Sequence, residues 1–149
     1  RDVTGVQTCA LPILEPDAIV EALEAGRFYS SSGVSLQAVR FNGSSLKVEV
    51  QAEADVQYQI QFIGTDRGFD PESRTASDKP EEADTLTRVY SDQIGKVYAT
   101  VAGPVAEYRI TGKELYIRAV VTSSKRHPNP SEAGEFERAW VQPIAIKNP

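Results

Sequence analysis

The side chains with the most chemical reach in this sequence are few and scattered. Four carboxylates fall close together at Asp78, Glu81, Glu82 and Asp84, and a hard cation such as calcium takes several carboxylate and carbonyl oxygens. The run lacks the regular acidic spacing and the glycine of a calcium loop, so a solvated loop is the expected reading. His127, before Pro128, is the only histidine. One imidazole cannot hold a metal alone, which makes it a surface residue by expectation. Ser30, Ser31 and Ser32 before Gly33 have the small residues of a phosphate-cradling loop without its lysine or its order, so a chain reversal between helix and strand is expected. Trp140 alternates with Gln142, Ile144 and Ile146. Exposed, it would suggest a sugar platform; as a large aromatic in the last strand it is expected in the core. No nucleophile, base and orienting group can be assembled from these residues. No catalytic, cofactor-binding or metal-ligating residue is therefore assigned.

The elements that would have to position such residues are bounded by composition. A chain of 149 residues has room for one ordinary domain with a real core. Its 40% hydrophobic and 25% charged residues are those of a soluble globular protein, and no apolar run approaches the roughly 20 residues of a membrane span. Sixteen basic residues against twenty-one acidic ones leave a net charge of −5. The basic residues are scattered, whereas nucleic-acid binding needs a concentrated positive surface. With one cysteine and one histidine, neither a disulfide framework nor a multi-ligand His/Cys site can be built.

The N-terminus lacks the basic and apolar regions of an intact secretory signal. The run Val3 to Ile13, VTGVQTCALPI, is similar, codon for codon, to the conceptual translation of a common short-read sequencing adapter. Residues 1–13, with Cys9, are accordingly read as an artefact of gene assembly and set aside. The natural sequence is then expected to begin near Leu14, with its upstream part lost.

From Pro16 to Ala25 the spacing is helical, with Ala18, Ile19, Ala22 and Leu23 on one face and Glu21 and Glu24 turned away. Pro16 suits the first turn and Gly26 the stop. So short a helix is marginal alone and should pack on something. After a loop at Tyr29 to Gly33 the period becomes two. Leu46, Val48 and Val50 alternate with polar residues, as do Tyr58, Ile60 and Phe62. Further strands are expected at Val34–Phe41, Leu86–Tyr90, Val97–Val101, Glu107–Thr111, Leu115–Thr122 and Ala139–Lys147. Asn42-Gly43 is a hairpin signal and Thr111-Gly112-Lys113 a turn. Thr65–Thr85 and Ser123–Glu135 read as exposed loops. Eight short strands with close turns and one N-terminal helix imply a mostly β fold, an antiparallel, immunoglobulin-like β-sandwich.

At Ala18–Val34, AIVEALEAGRFYSSSGV, the chain resembles the end of the catalytic domain of the PHP superfamily, named for polymerase and histidinol phosphatase. In a large bacterial group of these proteins a helix and a GRFYxSSG-like turn lead from the barrel into a β domain. IQFIGTD at Ile60–Asp66, GKELYIRAVVTSSKRHPNP at Gly112–Pro130 and AWVQPI at Ala139–Ile144 fit that β domain, so the resemblance covers nearly everything after Leu14. It implies a parent enzyme with a barrel that binds two or three divalent metals, Zn, Mn or Fe, and activates water against phosphoesters or related bonds. The family's ligand motifs would all lie upstream of Leu14, so no cofactor is expected in this fragment and the fragment is expected to be inactive. What the resemblance carries onto this chain is a domain hinge at Gly26, Arg27, Phe28 and Tyr29. Residues 14–33 would then be the last helix and linker of a truncated barrel, and 34–149 an accessory domain whose partner is the missing upstream domain. The rival reading is a free-standing carbohydrate- or peptide-binding module, favoured if Trp140, Tyr98 or Tyr116 line up on a solvated face.

Overall fold

Wherever apolar and polar residues alternate, the backbone is extended, and antiparallel pairing satisfies its polar groups. The structure, a computed structural model, describes residues 15–76 and 88–147. One helix, α1 (Pro16–Glu24), precedes eleven strands among the described residues: β1 (Tyr29–Ser31), β2 (Leu36–Phe41), β3 (Ser45–Val50), β4 (Tyr58–Asp66), β5 (Ser73–Thr75), β6 (Arg88–Tyr90), β7 (Lys96–Ala102), β8 (Val105–Arg109), β9 (Glu114–Arg126), β10 (Phe136–Val141) and β11 (Ile144–Ala145). The fold is mostly β with one short helix, and every pairing is antiparallel. The largest sheet runs β1-β10-β9-β4-β7, with β11 also on β9; a second runs β2-β3-β8, and β5 pairs with β6.

A single buried cluster draws on both larger sheets: Leu36, Leu46 and Val48 from one, Ile60, Phe62, Ile117, Val121 and Ala139 from the other. The chain changes sheet at short connections. One of them is the serine triplet, where Ser31 Oγ donates to the Val34 carbonyl (2.6 Å) and Ser32 N–H to the Arg138 carbonyl (2.9 Å). Gly33 follows at φ +147°, and a β-carbon there would lie 2.3 Å from Cδ of Glu137. Glu137 is itself buried and faces Lys125 at 3.6 Å. Gly33→Ala therefore combines backbone strain with a displaced carboxylate, and we expect a loss of about 1–3 kcal/mol, read by urea denaturation. A neutral result would show that Glu137 is not held where its neighbours place it.

Several boundaries differ from the sequence reading. Tyr29–Ser31, expected as loop, is an edge strand paired with β10. Thr65 and Asp66 continue β4 and Ser73–Thr75 forms a short ribbon strand, so the Thr65–Thr85 loop is shorter than its polarity implied. β9 runs on to Arg126 through the expected Ser123–Glu135 loop, with Ser123 buried. The Ala139–Lys147 run is two strands, because Gln142 and Pro143 interrupt it. Proline cannot donate to a ladder. In β2 a bulge between Leu36 and Ala38 shifts the phase, so that Val39 and Phe41 face Val48 and Leu46. Trp140, expected in the core, is only half-buried: Ala139 and Val141 take the core face of β10, which turns Trp140 to the opposite side.

Candidate docking surface

The residues assigned to the hinge are placed by the end of α1. Gly26 takes φ +67°, its N–H donates to the Leu23 carbonyl (3.1 Å) and the Arg27 N–H to the Ala22 carbonyl (2.8 Å). These two bonds are those of a Schellman stop. Arg27 turns back to Glu21, Nη2 to Oε1 at 2.9 Å. Phe28 is half-buried, and Tyr29 enters β1, its hydroxyl accepting from the Leu36 N–H at 3.2 Å. The two aromatics of the turn have different surroundings: Tyr29 packs on the core, while Phe28 lines a depression beside it.

That depression has a volume of about 250 Å³ and is walled by Phe28, Val39, Phe41, Pro143 and Ile144, with Arg27 at its edge. It owes its apolar wall to the β2 bulge and to the β10–β11 break. Next to it, α1 buries none of its residues. Ile19, Val20 and Leu23 are 43%, 51% and 52% exposed, and of the expected apolar face only Ala22 reaches half-burial. The residues that follow the helix, Ala25 to Phe28, line the hollow; the exposed apolar residues of α1 do not. Single exposed apolar residues are ordinary, whereas a contiguous apolar group can mark an interaction surface.

The other candidates have structural employment. His127 Nδ1 accepts from the Asn129 N–H (3.2 Å), and the His127 N–H donates to the Glu135 carbonyl (2.9 Å), which closes the β9–β10 connection. Hydrogen bonds from the Ser131 backbone and hydroxyl hold the Glu135 carboxyl below its usual range. Trp140 lies in a cross-strand row with Ser30, Val120, Gln61 and Thr100. Tyr98 does not share that face; its ring stacks on Tyr108 (centroids 5.6 Å) on the core side. Trp140 and Tyr98 therefore do not line up as a sugar platform would require; Tyr116, half-buried, lies on the Val120 side of β9 that pairs with Trp140. Asp78, Glu81, Glu82 and Asp84 lie outside the described residues, as does Cys9.

One polar network escaped the sequence reading. Glu114 is 1% exposed and accepts from the Tyr108 hydroxyl (2.7 Å), the Thr111 hydroxyl (2.9 Å) and the N–H groups of Thr111 (3.1 Å) and Gly112 (3.0 Å). Burial pushes its carboxyl up, but the bonds led by Tyr108 prevail and hold it below the ordinary value. Burial first, and then the facing carboxylates of Asp66 and Glu114, push the Tyr98 and Tyr108 phenols well above their usual range. The Tyr98 hydroxyl donates to Asp66 at 2.8 Å. Glu114 fastens the turn between β8 and β9, and Asp66 holds the Tyr98 hydroxyl at the end of β4. A glutamate two residues after Gly112 was the available signal, but alternation alone assigned it no role.

Among the described residues no group of three or more His, Cys, Asp and Glu side chains converges as a metal site requires, and no helix is long and apolar enough to cross a membrane. Compared with protein-family models, with curated proteins and with solved structures, the chain matches none.

Proposed function

We propose that this chain is the non-catalytic C-terminal β-sandwich of a PHP-type metal-dependent phosphoesterase or related hydrolase, and that it braces the catalytic barrel. The observation that supports the reading is the apolar hollow at Phe28, lined by the junction residues that follow α1, together with the exposed apolar residues of that helix. In this reading the two larger sheets form the sandwich, with their shared buried cluster as its filling. The GRFYSSSG turn resembles the family's junction, and its residues fit that use: Gly26 stops the helix, Phe28 faces the hollow and Tyr29 anchors the β domain. The described residues do not fit the family's metal-ligand set, since their only histidine is committed to a turn. In this reading the divalent metals are held by an upstream barrel, and no step of the chemistry is assigned to this chain.

Two measurements test this. Aryl phosphate offered to the chain with added manganese or zinc should show no turnover above buffer, whereas activity that follows the protein through purification would overturn the reading. Recovery of the unbroken coding sequence should reveal a histidine-rich barrel ahead of Leu14. A different domain there would remove the family.

A further inference from the structure

The smaller of the two core-forming sheets ends in a strand with an open outer edge. β8 pairs with β3 on one side, and no strand among the described residues pairs with it on the other. The Val50 N–H donates to the Pro104 carbonyl and the Ile110 N–H to the Ser44 carbonyl, both at 2.8 Å. In an antiparallel ladder such hydrogen-bonded pairs alternate with pairs whose backbone groups point away. Ala106 and Tyr108 therefore bond to β3, whereas Val105, Glu107 and Arg109 turn their N–H and C=O groups to the open edge. No hydrogen bond among the described residues uses those groups.

The side chains along that edge carry a definite charge pattern. Glu107 and Arg109 are both exposed and lie on the same face of the strand. Neither has an ion-pair partner among the described residues: Lys47, which stands opposite Glu107 in the ladder, is drawn instead to Glu49 at 2.8 Å. A twofold copy of β8 can bond to this edge only in antiparallel registers that set odd-numbered residues opposite one another. Centring the pair on Glu107 sets its carboxylate against its own copy, and centring it on Arg109 does the same to the guanidinium. Centring it on Tyr108 places Glu107 opposite Arg109 of the second copy, and Arg109 opposite Glu107 of the second copy. Like charges directly opposite destabilise a strand pair, and opposite charges support it. The pattern thus selects one register, in which each copy offers both members of the ion pair, as a self-complementary interface requires. The edges of the larger sheet lack this property. β1 has only three residues, and β7 carries an extra residue, Tyr98, where its register on β4 shifts, a bulge of the kind that turns an edge away from a partner.

We propose that β8 is a self-association edge, through which two copies of this chain join by antiparallel β8–β8 pairing centred on Tyr108, with reciprocal Glu107–Arg109 ion pairs. The contact continues the β2-β3-β8 sheet across the twofold axis, a case of strand addition in which the added strand comes from a second copy. A net charge of −5 opposes association in general, and the strand has five residues, so the dimer belongs to the weak end of specific interfaces. The inference is independent of the parent enzyme proposed above.

Sedimentation equilibrium over about a hundredfold range of protein concentration, reaching roughly 1 mM, should show monomer passing to dimer and no larger species. Glu107→Arg and Arg109→Glu should each weaken dimerisation by about tenfold or more, because each sets like charges opposite one another. Both side chains are exposed, so circular dichroism should report an unchanged fold. Mixed in equal amounts, the two variants should dimerise again, since one carries only positive and the other only negative charge along the edge. The Glu107→Arg/Arg109→Glu variant, with the pattern reversed, should recover as well. Wild-type protein that stays monomeric throughout would overturn the inference. So would single variants that dimerise like wild type, or a mixture or double variant that does no better than either single.

Discussion

Gly64→Ala is expected to be the most damaging single methyl that can be added to the described part of this protein. A β-carbon at that position would lie 2.3 Å from the backbone oxygen of Tyr116 and 2.6 Å from Cε2 of Tyr98. Gly64 sits within β4, paired with Ile117 on one side and Lys96 on the other. The Tyr98 ring lies against it on the way to its bond with Asp66, an arrangement in which an aromatic side chain covers a strand glycine. A side chain can swing away, but the Tyr116 oxygen belongs to the neighbouring strand of the ladder and cannot move without it. Overpacking of this kind costs about 3 kcal/mol or more, or roughly 10 °C of melting temperature in a domain of this size. Adding Tyr98→Ala relieves the ring contact alone, so the double variant should not recover. A Gly64→Ala protein that melts within a couple of degrees of wild type would show that β4 and β9 do not approach as closely as the ladder requires.

The second large effect is expected at Glu114. Glutamine keeps the shape but places an NH2 against a backbone donor whichever way it turns, since one carboxylate oxygen receives the Thr111 N–H besides the Tyr108 and Thr111 hydroxyls and the other receives the Gly112 N–H. We expect Glu114→Gln to cost about 2–3 kcal/mol at neutral pH. The pH dependence has a definite sign. Because the folded protein holds this carboxyl below its ordinary value of 4.5, the folded state binds the proton less readily than the unfolded chain. The stabilisation is thus fully present above that value and is lost as pH falls through the lower, folded one. Urea titrations of wild type and Glu114→Gln should therefore differ most at neutral pH and draw together in strong acid. A gap that stays constant across the acid range would mean that the charge on Glu114 is not what fastens the turn.

Much of this structure can be read from local pattern, and the reasons are particular. Asn42-Gly43 joins β2 to β3 because asparagine and glycine suit that turn; the Asn42 side-chain oxygen accepts from the Ser44 and Ser45 N–H groups, and Gly43 takes φ +88°. The alternation of Leu46, Val48 and Val50 marks one face, and all three are buried. Pro16 and Gly26 bracket a helix for backbone reasons that need no tertiary information. The candidate surface was legible only in part. Gly26 to Tyr29 stand out in sequence, but Val39, Phe41, Pro143 and Ile144 join Phe28 through a bulge that has no local signature and a strand break whose only local sign is Pro143.

Trp140 and Glu114 show where local pattern stops. In sequence Trp140 is simply the largest apolar residue of its strand, yet Ala139 and Val141 take the core. The small residue fits where β10 meets the opposing sheet, and the parity of the strand then turns the indole outward. Glu114 reads as a charged residue before an apolar run and becomes a buried anchor, because the chain crosses between sheets there and its turn leaves N–H groups to be satisfied. The sequence by itself determined the longer strands, the tight turns and an acidic helix with an apolar stripe, since each follows from steric and solvation rules acting over a few residues. Only the tertiary structure decided which residues share a face, that Gly64 must stay bare beneath Tyr98 and Tyr116, and that the stripe on α1 finds no cover among the described residues. Those outcomes depend on which strands become neighbours, and that contact is set by segments far apart in the chain.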